Sequence, residues 1–229
     1  VLFGLGSAVR RDGSEGFAIM YLQLALAADP KSDVTLIQLA GIAENQDRQT
    51  EAIVLYDKVA KDSPFRRGAE LQSGLNLADM DKKDDAVRTL SALIEENPSD
   101  TRAYLALGGV HASAKDYKSA AEVYERAIAA IGEPDRADWN LFYQRGIANE
   151  RTKNWPVAEA SFKQALKLFP DQPQVLNYLG YSWVDMNMNL DEALGMIRKA
   201  VDLRPDDGYI VDSLGWAYYR LGRFDEAVS

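Results

Sequence analysis

The residues able to do acid–base or metal chemistry are few: a single histidine, His111, and the adjacent acids Asp84-Asp85, Asp191-Glu192 and Asp225-Glu226. Each acidic pair opens a helical pattern. There negative charge is favoured by the helix dipole and caps free N–H groups, so the pairs are read as helix starts. His111 falls on a core position of its helix and is read as a hydrogen-bonded packing residue. With no cysteine in the chain, thiolate nucleophiles, disulfides and cysteine-ligated zinc are excluded. Asp206-Asp207-Gly208 lacks the remainder of a calcium loop and reads as a helix cap. Gly4-Leu5-Gly6 lacks the third glycine and the preceding strand that a dinucleotide site needs. The expectation is a non-enzymatic chain with no catalytic residues, no metal and no cofactor.

The net charge of −9 over 229 residues argues against nucleic acid, whose phosphates demand a basic surface, and against anionic membranes. No apolar run approaches the ~18 residues of a membrane span, and no signal peptide is visible. The chain opens Val-Leu-Phe without methionine, so its native N-terminus is expected upstream.

What must position any functional residue is a repeat. Prolines stand at 30, 64 and 98, each 34 apart, and again at 170 and 205. A period of this size means stacked units. The units start at Asp33, Arg67, Thr101, Trp139, Pro173 and Gly208, giving repeats 33–66, 67–100, 101–138, 139–172 and 173–207. A partial unit, 1–32, precedes them and a truncated one, 208–229, follows, all in a single array over 1–229. Within each unit two helices are predicted. From Pro173, the residues Leu176, Leu179, Gly180 and Trp183 mark one face of a first helix, and Ala193, Ile197 and Ala200 one face of a second. In the partial unit Leu2, Leu5, Gly6 and Val9 play the first part. Small residues recur on the first helix at Gly6, Ala40, Gly74, Gly108, Gly146, Gly180 and Gly215. They recur on the second at Ala18, Ala52, Ala86, Ala120, Ala158, Ala193 and Ala227. Glycine inside a helix costs roughly 1 kcal/mol against alanine, so its recurrence needs a close helix approach to explain it. Proline ends each unit because it cannot continue a helix.

These residues resemble the tetratricopeptide repeat, W-x2-L-G-x2-Y, then A-x3-F, then P, over essentially the whole chain. Departures are an extra residue near Asn187–Leu190 and about four at Asp135–Asp138. Arg145 and Asn149 are polar where leucine and tyrosine are usual, which is expected to weaken packing there. Pro156 fits the first turn of a second helix. Met186 and Met188 flank a turn and are expected to fill gaps. The segment from Asn177 to Ala227 is also similar to tetratricopeptide proteins of proteobacteria, many of them exported to the envelope. The resemblance implies an all-α, right-handed superhelical solenoid whose first helices line a concave groove.

On a helical wheel, positions opposite the core of the first helix carry the candidate partner-binding residues. From Gly208 they are Tyr209, Asp212, Trp216, Tyr219 and Arg220. From Pro173 they are Gln174, Asn177, Tyr181, Val184 and Asp185. From Trp139 they are Asn140, Tyr143, Ile147, Glu150 and Arg151. Earlier units offer Ile37, Leu71, Leu75 and Leu105 with Gly41 and Gly109. By the resemblance these face the groove, so its C-terminal part is aromatic and amide-bearing and its N-terminal part aliphatic. Tyrosine and tryptophan give large contact area at low entropy cost, and amides pair with an extended backbone. The reading is a scaffold that binds a protein or peptide segment, with Trp216 as an anchor. Packing against the neighbouring first helix is the competing explanation for the same rings. The Lys/Asn/Arg clamp by which some family members hold a C-terminal carboxylate has no counterpart, since Arg102, Arg151 and Arg220 come one per unit. The chain stops within a second helix, so a longer natural protein is expected, or self-association through an open end. The alternative is a targeting arm of a larger enzyme, such as a transferase.

Overall fold

The structure is a computed structural model that describes residues 15–228. These are helical apart from turns, with no strand among the described residues. Leu2, Leu5, Gly6 and Val9, expected on a first helix, lie outside the described residues. The chain divides into two compact units, Val1–Lys115 and Asp116–Ser229, and the division falls inside the repeat 101–138.

In the first unit the described helices are α1 (Glu15–Ala28), α2 (Asp33–Asn45), α3 (Gln49–Asp57), α4 (Arg66–Asp79), α5 (Lys83–Glu96) and α6 (Thr101–Ser113). Each packs on the next in sequence, and α4 also touches α6. In the second unit follow α7 (Tyr117–Ala130), a 3-10 turn (Arg136–Asp138), α8 (Trp139–Arg151) and α9 (Trp155–Leu168). Then come α10 (Pro173–Asp185), α11 (Leu190–Leu203), α12 (Gly208–Arg220) and the short α13 (Phe224–Ala227). Again neighbours pack in order, and the first helices α10 and α12 meet directly.

First helices begin at Asp33, Arg66, Thr101, Trp139, Pro173 and Gly208. Pro30, Pro64, Pro98, Pro170 and Pro205 all fall in the turns between repeats. Pro156 lies in the first turn of α9. Asp207 caps α12, accepting from the backbone N–H groups of Tyr209 and Ile210. The residues expected to be extra at 135–138 become a 3-10 turn closed by a capping box at Asp135.

The small residues are where the helices of a pair touch. Ala18, Ala52, Ala86, Ala120, Ala158 and Ala193 are each completely buried. A Cβ added at Gly180 would stand 2.8 Å from Ile197 Cγ1 and 2.9 Å from the carbonyl oxygen of Ala193, which is backbone and cannot swing aside. At Gly215 the nearest atom would be the Ala227 carbonyl oxygen at 3.5 Å, an ordinary contact. Gly180→Ala is therefore expected to lose about 1–2 kcal/mol despite alanine's better helix propensity. Gly215→Ala should be neutral or gain up to about 1 kcal/mol. Urea unfolding of both variants checks this; equal shifts would mean the glycines do not mark close approach.

Arg145 and Asn149 do not loosen the repeat 139–172, contrary to expectation, because a polar network absorbs them. Arg145 donates to Glu125 Oε2 at 2.6 Å and to Ser161 Oγ at 3.0 Å. The Asn149 amide donates to the Arg145 carbonyl and accepts from Asn154, both at 2.9 Å. Met186 and Met188 are more than a third exposed and fill no gap. His111 is half-buried and engaged by neighbours.

In the first unit Asp100 caps α6, accepting from the Arg102 backbone N–H at 3.1 Å and from the Arg67 Nε at 2.7 Å. The hydrogen bond from the Arg102 guanidinium, with that from Arg67, holds its carboxyl at about 2. A depressed folded pKa means the contribution is present above the usual carboxylate value and disappears as pH falls toward 2. Stability of the wild type and Asp100→Asn, measured from pH 5 to pH 2, should differ at the upper end and converge at the lower. Parallel curves would contradict this.

Candidate functional site

In the second unit a hollow of about 520 Å³ opens among α8, α10 and α12. Glu150, Arg151 and Lys153 border it from the end of α8 and the turn beyond, and Trp155 from the start of α9. Its floor and far wall are α10, with Asn177, Tyr178, Tyr181, Ser182, Asp185 and Met186; Tyr209 closes it from α12. The helical repeat brings Asn177, Tyr181 and Asp185 to one face at intervals of one turn.

Asn177 is 3% exposed, yet its side-chain oxygen has no hydrogen-bond partner among the described residues. A buried polar atom without a partner costs free energy and is uncommon in folded proteins. The Trp155 indole N–H and the Gln174 side-chain oxygen are also buried without partners. Two residues lining the hollow thus carry unpaired groups, an acceptor on Asn177 and a donor on Trp155, of the kinds a peptide backbone can pair with.

The aromatic rings divide by role. Tyr178 donates its O–H to Glu150 Oε2 at 3.0 Å, and burial followed by the Glu150 charge pushes its phenol well up. Tyr181 is 39% exposed and Tyr209 73% exposed, so both offer surface to a ligand. Burial, with the charge of Asp185, raises the Tyr181 phenol.

Of the expected site residues, Glu150, Arg151, Asn177, Tyr181, Asp185 and Tyr209 come together at the hollow. Tyr143 lies instead in an aromatic cluster, 5.9 Å from Tyr178 and 6.1 Å from Phe162 between ring centres, and burial pushes its phenol up to about 12. Trp216 is half-buried against the core of the unit, with its ring stacked on Tyr219 at 5.6 Å and Arg220 above it at 5.6 Å. Arg220 also reaches across to Asp185, donating to its carboxylate at 3.4 Å and its carbonyl at 3.2 Å. Asp212 and Tyr219 are exposed on α12, and Gln174 is half-buried at the start of α10. Val184 was expected to face the groove, but it is completely buried, because at this end of α10 the neighbouring helices cover that side.

Sequence reasoning missed Lys153, Trp155 and Ser182. Two of these stand in or just past the turn, where a wheel drawn on the first helix does not reach. In the first unit a smaller hollow of about 380 Å³ lies between α4 and α6, walled by Leu75 and Leu105 with Ala78, Ala106 and Gly109. That is the aliphatic stretch expected there. No described helix is long and apolar enough to cross a membrane.

The tetratricopeptide repeat family profile matches residues 71–135, 143–208 and 187–229. The TPR repeat-containing protein PA4667 of Pseudomonas aeruginosa is 30% identical over 195 residues, 85% of this chain and 32% of that protein. The protein O-mannosyl-transferase TMTC1 of Homo sapiens is 27% identical over 93% of this chain and 24% of its own length. The chain therefore spans about a third or less of these relatives. The crystal structure of the APC/C hetero-tetramer Cut9-Hcn1 superposes with a TM-score of 0.67, covering 94% of this chain and 42% of that one at 15% identity, a likeness of fold. A scaffold fold of the kind that binds protein or peptide partners, built on these repeats, makes the chain a member of the tetratricopeptide repeat family.

Proposed function

We propose that this chain is a non-enzymatic scaffold that seats an extended segment of a partner protein in the hollow among α8, α10 and α12. One observation carries the reading: Asn177, buried at the floor of the hollow, keeps an unpaired carbonyl oxygen. Tyr181 and Tyr209 add exposed rings beside it, of the type that anchors interfaces. The resemblance of the segment from Asn177 to Ala227 to tetratricopeptide proteins of proteobacteria, many of them exported to the envelope, would set this role in envelope assembly. The Pseudomonas relative supports the bacterial setting.

The test is selection of linear peptides from a random display library on the folded chain. Peptides that bind the wild type and lose binding with Tyr181→Ala support the reading. Absence of any selected peptide, or binding indifferent to Tyr181 and Asn177, overturns it.

A second reading, the targeting arm of a larger enzyme, is favoured by the match to the human O-mannosyl-transferase over nearly the whole chain. The full open reading frame decides it: an adjoining catalytic domain supports it, and a reading frame holding repeats alone rejects it.

A further inference from the structure

The hollow of the second unit is electrically two-sided. Arg151 and Lys153 stand on the α8 side. Asp212 stands exposed on α12, three residues on from Tyr209 and so on the same face. The carboxylates between them are engaged. Glu150 accepts from the Tyr178 O–H at 3.0 Å and lies 3.5 Å from Arg151 Nε, and Asp185 is held by Arg220 at 3.4 Å. Among the described residues, neither Lys153 nor Asp212 has an ion-pair partner. Asp212 does not itself line the hollow; it stands about one turn along α12 from Tyr209, which does. Asn177, with its buried, unpaired oxygen, lines the same hollow as Lys153.

We propose that the partner segment is charge-patterned, with an acidic side chain facing Lys153 and Arg151 and a basic side chain facing Asp212, so that charge sets the direction in which the segment runs. The inference rests on the peptide-binding reading above. Packed helices lie ~8–10 Å apart, so two steps from α8 to α12 span roughly 18 Å, and Lys153, past the end of α8, stands roughly 15 Å further along the helix direction than Asp212 does on α12. An extended chain advances ~3.3 Å per residue, which separates the two charges by about seven residues. A basic side chain on its way to Asp212 passes the exposed rings of Tyr181 and Tyr209, whose faces attract cations. Complementary charge of this kind selects orientation and partner more than it adds affinity.

The experiment is the same peptide selection, read for sequence. Wild-type protein should enrich peptides with an acid and a base at that spacing in one order. Synthetic peptides with the two charges exchanged should bind roughly tenfold more weakly. Selection on Lys153→Glu should replace the preferred acid by a base while leaving the position facing Asp212 unchanged, and Asp212→Lys should do the converse. The exchanged peptides test the point on the wild-type protein, whether or not a variant folds. Peptides that depend on Asn177 but show no charge order would overturn this inference and leave the peptide-binding reading standing. No selected peptide would overturn both.

Discussion

Trp183→Ala is expected to cost about 3–5 kcal/mol, the largest stability loss of any single change considered. Trp183 is completely buried in the core of the second unit, among Phe162, Leu179, Ala193 and Ile197. Packing there is set by the glycine beside it in the repeat pattern: Gly180 lets α11 approach, and Ile197 then meets the indole's helix at close range. Removing the ring leaves a cavity that neighbouring helices, held at both ends by turns, cannot fill. The indole N–H has no partner among the described residues, so its polar atom contributes nothing to hold it. Trp183→Phe keeps most of the volume and deletes that unpaired donor, and should cost about 1 kcal/mol or less. Equilibrium unfolding followed by circular dichroism checks both. A small loss for Trp183→Ala would mean that the core of this unit is not packed as described.

The second large effect is on binding. Asn177→Ala is expected to weaken a selected peptide by roughly 30-fold, about 2 kcal/mol, and Tyr181→Ala by a similar factor. The two variants should differ from ordinary destabilising mutants in one respect. Because the Asn177 oxygen is already unpaired in the free protein, deleting it removes a buried polar cost and should leave the unfolding midpoint unchanged or raised. Lost binding with undiminished stability is the signature of a group kept for a ligand rather than for the fold. A matched fall in stability would instead make Asn177 a structural residue. Calorimetry of binding and of unfolding on the same preparations separates the two outcomes.

The repeat itself was legible because its physics is local. Proline spacing, the apolar face of each first helix and the alanine at one position of each second helix all report contacts between helices that are neighbours in sequence. The inter-helix turns were less legible. Asp47, Asp81, Lys115, Lys153, Asn187 and Gly222 all adopt positive φ at the equivalent place, yet only the last is a glycine. Two lysines in a conformation that favours glycine or asparagine give no compositional signal, since the closed helix pair imposes the turn. The site was legible in part for a similar reason. A wheel finds which residues leave the core of one helix, and it brought out Asn177, Tyr181, Tyr209 and Arg151. It does not say which of the outward rings the next helix will cover. Tyr143 and Trp216 share their wheel positions with exposed residues elsewhere, but Tyr178 packs on the first and the core of the unit on the second. Lys153 and Trp155 enter the hollow from the turn, outside any first-helix pattern.

Under the proposed function a partner segment lies against α10 in the hollow of the second unit. Photo-crosslinking tests it most directly, with a benzophenone amino acid placed at position 181 or at position 195, an exposed site on α11 with open space around it. A bound peptide should be captured from position 181 and not from 195; capture from 195 alone, or equally from both, would contradict the claim.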